Sequence, residues 1–450
     1  MKWRIVPVLA GLALLAAGSV GEANEKLLDI LKEKGIITDE QLADLKKDSA
    51  SDVKVSYKKG FKMETTDKEF SFELGGKVRA DFRYFDDNSK NDTFDLRKAS
   101  LKAKGTLYRY FDYRLGADFA SGTAKLKDAY IAYTYFPRAQ IKVGQFKVPF
   151  GYEKFLSSKY FPFLHKSSIT SALTWTRDRG VGVEGTLLNG YLAYNVGVFN
   201  GNGSNTSNNN DDFDYAGRLI FVPTRGSDGR LQLAVGVSYS YGQQRGDDDD
   251  EIELKTETKS NNTYFVASIP TSRSYDRHRA SIGATIIYGR LMLNGEYMKA
   301  VYQFDNDAEV TGGSVIAGYL LTDEERTFDD DGQVKYGSVK KPFDPGKRQW
   351  GGWELAARYS WFKVDDRFFQ SNGLYRGWSA VDRTSNANAG SAFTTGISWR
   401  LNDATRILAN WVHSHADNDL AGGSSNIFTH DSGNSSDSED AVLMRLQVAF

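Results

Sequence analysis

The chain has 450 residues, no cysteine, a formal net charge of −1, and 13% aromatic residues within a hydrophobic total of only 40%. A helical membrane protein needs repeated apolar runs of about 20 residues; the only long apolar run here is N-terminal, which excludes that class. The balanced charge and the missing cysteines select neither partner nor compartment, whereas a β-barrel reads as soluble because lipid-facing and lumen-facing residues alternate.

In chain order, Lys2 and Arg4 precede an apolar stretch from Ile5 to Ala17, and Gly21-Glu22-Ala23 ends in the small-residue pattern of a cleavage site. Residues 1–23 are expected to be a secretory signal peptide, with the mature chain starting near Asn24. Leu27, Leu28, Ile30, Leu31, Leu42 and Leu45 then recur at helical spacing, with Gly35 as a break and Thr38-Asp39-Glu40 as a cap. Residues 24–54 are predicted to form a short periplasmic helical hairpin or spacer whose apolar stripes can meet across a trimer.

From Phe70 onward the period is two. Leu231, Leu233, Val235, Val237, Tyr239 and Tyr241 alternate with Gln232, Ala234, Gly236, Ser238, Ser240 and Gly242. Val442, Met444, Leu446, Val448 and Phe450 repeat the pattern at the C-terminus. Segments of about 10 residues match a tilted strand crossing a bilayer. Sixteen are predicted: 70–85, 94–107, 112–121, 126–136, 139–148, 178–188, 191–200, 213–223, 230–242, 278–288, 291–303, 351–364, 371–381, 392–402, 405–416 and 440–450. Short turns such as Asn189-Gly190 and Gly289-Arg290 alternate with long connections, 201–212, 243–277, 304–350 and 417–439. Residues 55–450 are therefore expected to form an all-β, transmembrane, antiparallel barrel of sixteen strands with both ends periplasmic.

The period also sorts charge by face. The first strand turns Glu73, Lys77, Arg79, Asp81 and Arg83 inward; the second turns Lys98, Ser100, Lys102 and Lys104 inward and leaves Arg97 out of phase, at the outer rim. Arg114, Lys142, Arg218, Arg279, Arg358, Arg400, Arg406 and Arg445 share the lumen phase, as do Asp118, Asp128, Glu184, Asp214, Glu296 and Glu354. The excess is basic, and a confined basic wall concentrates anions. Residues 149–177 are rich in Phe and Tyr and carry Lys154, Lys159, His165, Lys166 and Arg177 against Glu153 alone. So apolar a segment is expected to fold into the lumen as a constriction loop.

Several motifs resemble those of the phosphate-selective porin O and P family. Thr65-Thr66-Asp67-Lys68-Glu69-Phe70-Ser71-Phe72-Glu73-Leu74-Gly75-Gly76 is similar to the family's first-strand motif nearly letter for letter. Gly144-Gln145-Phe146, Phe150-Gly151-Tyr152-Glu153-Lys154, Ser157-Ser158-Lys159, Trp353-Glu354-Leu355 and Leu443-Met444-Arg445-Leu446-Gln447 extend the likeness over most of 55–450. The resemblance implies a homotrimer of sixteen-stranded outer-membrane barrels whose third loop narrows the pore. It also implies a functional place for Arg97-Lys98, where the family has two arginines, for Lys159 after the double serine, and for Lys166, where the family has arginine. Lys127 stands where phosphate-selective members have aspartate, and Asp247-Asp248-Asp249-Asp250-Glu251 replaces an arginine-rich fifth loop.

The expected function is a water-filled channel for passive diffusion of small anions, including phosphate or polyphosphate, in the outer membrane of a Gram-negative bacterium. Its candidate anion-binding and pore-lining residues are Lys77, Arg79, Arg97, Lys98, Lys102, Lys159 and Lys166. The expected partners are its own trimer mates, outer-membrane lipid, lipopolysaccharide and small anions, with no nucleic acid. Two rival classes stand beside this expectation. An enzyme needs a catalytic set, and no Gly-x-Ser-x-Gly elbow or comparable constellation stands out. His413, His415 and Asp417 are read as a wet strand end rather than a metal site, so neither cofactor nor metal is expected. A general, non-specific porin is the second rival: Asp247–Glu251, Asp323-Glu324-Glu325 and Asp329-Asp330-Asp331, read as outer loops, would bridge divalent cations and lipopolysaccharide.

Overall fold

The computed structural model describes residues 31–34, 38–39, 53–57, 60–86, 91–208, 210–225, 230–245, 251–260, 262–270, 273–429 and 435–450. The signal segment and nearly all of the expected helical hairpin lie outside the described residues.

Sixteen strands close into one antiparallel barrel. The first eight are β1 (Ser71–Phe85), β2 (Thr93–Leu107), β3 (Phe111–Asp118), β4 (Lys125–Tyr133), β5 (Gln140–Phe146), β6 (Asp178–Leu187), β7 (Leu192–Phe199) and β8 (Asp214–Phe221). The wall continues through β9 (Leu231–Arg245), β10 (Ser274–Tyr288), β11 (Leu291–Gln303) and β12 (Asp307–Leu320). It ends with β13 (Gly352–Val364), β14 (Ala389–Arg400), β15 (Thr405–Asp417) and β16 (Ser438–Ala449). Each strand pairs with its sequence neighbour, and β16 returns to β1 with Arg445 opposite Asp81 and Gln447 opposite Arg79. Closure leaves the main wall no free edge, as a backbone in lipid requires. A small hairpin, Val53–Tyr57 with Phe61–Thr65, adds to the start of β1. Phe450 exchanges backbone hydrogen bonds of 2.8 and 3.0 Å with Gly76 at the same rim.

The alternation survives as geometry. Along β9, Leu231, Val237 and Tyr239 are exposed on the outside, while Ala234, Gly236, Ser238, Ser240 and Gly242 are buried inside. The outer face of such a barrel meets lipid, so its exposed aliphatic and aromatic side chains are in their proper solvent.

Two strand expectations are corrected. The segment 371–381 is loop: Leu374, Tyr375 and Trp378 pack into an apolar cluster with Phe368 and Phe369 rather than extending across the wall. Asp307–Leu320, expected to be loop, is β12. Its lumen face carries Val310, Ile316 and Leu320 because that part of the wall is covered by inserted chain, not water. Apolar residues on both faces erase the period-two signal. The strand number stays sixteen because one strand replaces another, but the sides of the membrane exchange in between. Residues 321–351 lie at the end that carries the short turns and Phe450, which is the periplasmic end. Asp323-Glu324-Glu325 and Asp329-Asp330-Asp331 are therefore periplasmic and not in outer loops.

Three connections fill much of the lumen. Residues 147–177 cross it from β5 to β6 and bury Phe150, Phe161, Phe163, Ile169 and Leu173. The fifth outer loop carries a hairpin, Glu251–Lys255 with Thr263–Ser268, and sends Thr256 to Asn262 down into the barrel. The periplasmic connection 321–351 rises from below. Its Val334 and Tyr336 join Leu156, Phe161 and Phe163 in one cluster, with the Tyr160 and Tyr336 rings stacked at 5.2 Å. The β9–β15 side is thus packed, and the lumen cavities that remain are lined mainly by β1–β8, with Arg445 and Ala449 of β16.

Candidate pore-lining site

Neighbouring strands in the same phase bring their basic residues together. In the β1–β2 register Arg79 stands directly opposite Lys98, and Lys77 opposite Ser100. The register shifts by one residue next to Arg79, so Arg97 is the extra residue of a β-bulge. A bulge turns two consecutive side chains toward the same side. Arg97 consequently lines the same cavity as Arg79 and Lys98, of ≈ 470 Å³ on the outer side of the constriction loop. The rim position read from the period is corrected accordingly: strict alternation cannot anticipate an inserted residue. Lys77, Lys98, Lys102 and Lys159 line an adjoining cavity of ≈ 350 Å³.

The loop meets this wall at its double serine. Arg79 donates through Nη2 to the Ser158 carbonyl at 2.6 Å and through Nε to Gln447 Oε1 at 2.8 Å, and Lys77 Nζ lies 3.5 Å from Ser158 Oγ. Acidic neighbours are few. Lys98 faces Asp118 at 3.7 Å and Lys104 pairs with Glu73 at 2.9 Å. Among the described residues, Lys77, Arg79, Arg97 and Lys102 make no ion pair. Positive charge is left over where the constriction loop meets the wall, and low-dielectric surroundings strengthen its field.

Lys166 is placed differently. Its Nζ donates to the Glu153 carbonyl at 2.6 Å and to the Leu156 carbonyl at 3.3 Å, and sits 3.4 Å from the centroid of the Phe161 ring. It ties two turns of the constriction loop together. Burial lowers the Lys166 ammonium to about 7 and that of Lys154 to about 8, with Glu153 opposing the shift in both. Burial, reinforced by Arg445 and Arg97, holds His165 well below its ordinary range, so its imidazole is neutral.

Most wall arginines beyond β8 hold the loops. Arg358 lies over Phe163, donates to the His165 carbonyl at 2.9 Å, and pairs with Glu257 of the fifth loop. Arg279 faces Asp214 at 3.5 Å and stacks on Trp175 of the constriction loop. Arg406 donates to the Phe161 carbonyl at 3.0 Å. Glu296 takes the backbone N–H groups of Tyr152 and Glu153 at 2.6 and 2.7 Å and the Ser281 hydroxyl at 2.5 Å. Beside it the Tyr152 ring lies flat on the wall because residue 283 is glycine; a Cβ there would come within 2.6 Å of that ring.

Four basic residues outside the sequence-derived set join it in space. Lys127, Lys154, Arg177 and Lys259 line the outer cavity with Arg97. Lys127, Lys154 and Arg177 had visible signals, a strand position beside the second cluster or a place in the constriction loop. Lys259 had none: it reaches the lumen only because the fifth loop folds inward. At the strand ends, His413 Nδ1 lies 3.0 Å from Asp440, and His415 is 3.9 Å from Asp437. Among the described residues, no three His, Cys, Asp or Glu side chains converge as a metal site.

Porin O of Pseudomonas aeruginosa is 24% identical over 430 residues, which is 89% of this chain and 93% of that protein. In fold, the chain is similar to OmpT of Vibrio cholerae, in-vitro folded and in its trimer form, with TM-score 0.52, 11% identity, and coverage of 85% and 99%. It is also similar to the anion-selective porin from Comamonas acidovorans, with TM-score 0.50, 12% identity, and coverage of 85% and 100%. The profile of the family described as phosphate-selective porin O and P matches residues 72–450. A closed sixteen-stranded barrel with an inserted third loop and this match over nearly all of the wall have one reading: the chain belongs to the phosphate-selective porin O and P family, channels of the Gram-negative outer membrane.

Proposed function

We propose that the channel passes small anions, chloride, short carboxylates and phosphate among them, with little discrimination between them. One observation carries this reading: Lys77, Arg79, Arg97 and Lys102 gather where the constriction loop meets the first two strands, and among the described residues they make no ion pair. Lys77, Lys98 and Lys102 attract anions as point charges and lack the bidentate fork with which arginine grips phosphate, and Arg79 already commits its Nε and Nη2 donors to Gln447 and the Ser158 carbonyl. Lys98 and Lys159 extend the cluster on the wall and the loop, whereas Lys166 acts on the loop's shape. The likeness to Porin O and to the anion-selective porin from Comamonas acidovorans supports anion passage. No catalytic chemistry, cofactor or metal belongs to this reading.

The same proposal takes residues 1–23 as a cleaved signal, 24–54 as a periplasmic helical spacer, and the working unit as a homotrimer embedded among lipid and lipopolysaccharide. The trimer form of OmpT supports the assembly. The test is the reversal potential across a bilayer in a KCl gradient. Wild type is expected to prefer anions, and Lys98→Glu plus Lys102→Glu to move the potential toward cations. A cation-selective wild type, or an unmoved double variant, overturns the reading.

A further inference from the structure

Asp329-Asp330-Asp331 forms the tip of the periplasmic connection, and each carboxylate has a different fate. Asp329 is spent inside the turn: its Oδ1 accepts the backbone N–H groups of Asp331 and Gln333 at 3.1 and 2.8 Å. Asp330 pairs with Arg225, just after β8, at 3.2 Å. Among the described residues the Asp331 carboxylate makes neither a hydrogen bond nor an ion pair. It lines a lumen cavity of ≈ 350 Å³ together with Lys142, Lys147, Arg177 and Arg218.

The tip is held in this place from both ends. At its root, Arg326 is buried, donates to the Arg290 and Gly318 carbonyls at 2.8 and 3.2 Å, and pairs with Glu354 of β13. Phe328 packs against the cluster of Tyr152, Ile220 and Val222. Arg225 donates through Nη2 to the Asp329 and Asp330 carbonyls at 2.8 and 3.1 Å. Residue 332 is glycine with φ +69°, and a Cβ there would come within 2.3 Å of Ile220 Cγ2, so the turn lies directly on the β8 wall. The other carboxylates of the cavity are taken: Glu184 pairs with Lys142 at 2.5 Å and Asp128 with Arg177 at 2.8 Å. Asp331 faces Arg218 and Lys142 without touching either, and Arg218, 3% exposed, leaves its Nε without a hydrogen-bond partner. Five cations on this wall thus meet three carboxylates, and would meet only two without Asp331.

We propose that Asp331 is a selectivity-setting residue of the channel: a tethered counter-ion that offsets the basic wall, weakens the hold on anions there and admits cations beside them. The proposal rests on the anion-channel reading and adds to it a residue that opposes the first-strand cluster. The Arg177–Asp128 pair borders both this cavity and the one that holds Lys77, Lys98 and Lys102, so the two fields adjoin. A unit charge within a Debye length of an ion's path changes the local concentration of a monovalent ion by roughly twofold. A conducting pore needs attraction strong enough to draw an ion in and weak enough to release it. A carboxylate fixed opposite the basic wall supplies the second condition.

The test uses the full-length channel in planar bilayers at neutral pH, with the reversal potential read in a KCl gradient. Asp331→Asn keeps the shape and removes the charge; its ratio of anion to cation permeability should rise roughly twofold over wild type. Asp331→Glu should stay at the wild-type value. Asp330→Asn is the control: that carboxylate is 97% exposed and taken by Arg225, so the shift should be smaller than in Asp331→Asn. Asp331→Cys gives a chain with a single cysteine. Once labelling is verified by mass, the anionic sulfonatoethyl methanethiosulfonate should return its potential toward wild type, and the cationic trimethylammonium analogue should raise anion preference further. Both are read before and after in one channel, so the result does not depend on how well the variant assembles. An unmoved potential in Asp331→Asn, an equal or larger shift in Asp330→Asn, or the same response to both reagents overturns the assignment. The wild-type potential judges the anion-channel reading separately: an anion-selective wild type with an unmoved Asp331→Asn loses only the role of Asp331.

Discussion

Arg445 of the last strand forks across Asp81 of the first, Nε to Oδ1 and Nη2 to Oδ2, each at 2.6 Å and both residues buried. The pair sits on the seam where the barrel closes, and the same guanidinium donates through Nη1 to the Leu164 carbonyl at 2.8 Å. One cation thus joins the two chain ends of the wall and fixes the constriction loop to them.

Removing one partner leaves a buried charge uncompensated. Asp81→Asn and Arg445→Met are each expected to lose about 3–5 kcal/mol. The combination Asp81→Leu plus Arg445→Met should lose less than either single change, because no lone charge remains. Thermal unfolding of the detergent-solubilised protein checks this; additive losses in the combination contradict it.

Glu296 is the clamp of the constriction loop. Glu296→Ala strands the N–H groups of Tyr152 and Glu153, at about 1–3 kcal/mol for each unmet buried donor. The loop should then leave the wall intermittently. Single-channel records are expected to show larger current fluctuations than wild type, and a quiet trace of wild-type amplitude refutes the clamp.

Sidedness has a direct chemical test, because the chain has no cysteine of its own. Asp330 is 97% exposed on the periplasmic connection. Asp330→Cys is expected to resist a bulky membrane-impermeant maleimide added to intact cells and to react once the outer membrane is permeabilised. Labelling of intact cells would return this segment to the outer surface.

The loop ammonium groups give a pH dependence. With burial lowering Lys166 to about 7 and Lys154 to about 8, both are charged at pH 6 and both discharge as the pH rises to 9. Discharge removes positive charge from the loop, so anion preference should fall over that range. The reversal potential in a fixed salt gradient at pH 6 and pH 9 measures it; Lys154→Met should flatten part of the change.

The barrel was legible in the residues because lipid and water impose opposite chemistry on the two faces of a strand. β9 and β16 show this from Leu231 to Tyr241 and from Val442 to Phe450. The same phase put Lys77, Arg79, Lys98 and Lys102 on one wall, since adjacent strands share an inside. β12 escaped because its inner face meets the constriction loop and the periplasmic connection, and apolar residues on both sides leave no period to read. With it went the sidedness of residues 321–351.

By itself, then, the sequence determined the barrel, its even strand number and the basic face of its first two strands, all of which follow from a period of two. Only the tertiary structure decided which basic residues make no ion pair among the described residues. Arg358, Arg279 and Arg445 have the same phase as Arg79, yet they face Glu257, Asp214 and Asp81. Lys259, distant in sequence, reaches the lumen through an inward-folded loop. Pairing depends on which segments fill the lumen, and that is set by packing between residues more than a hundred positions apart, as between Tyr160 and Tyr336, which no local pattern records.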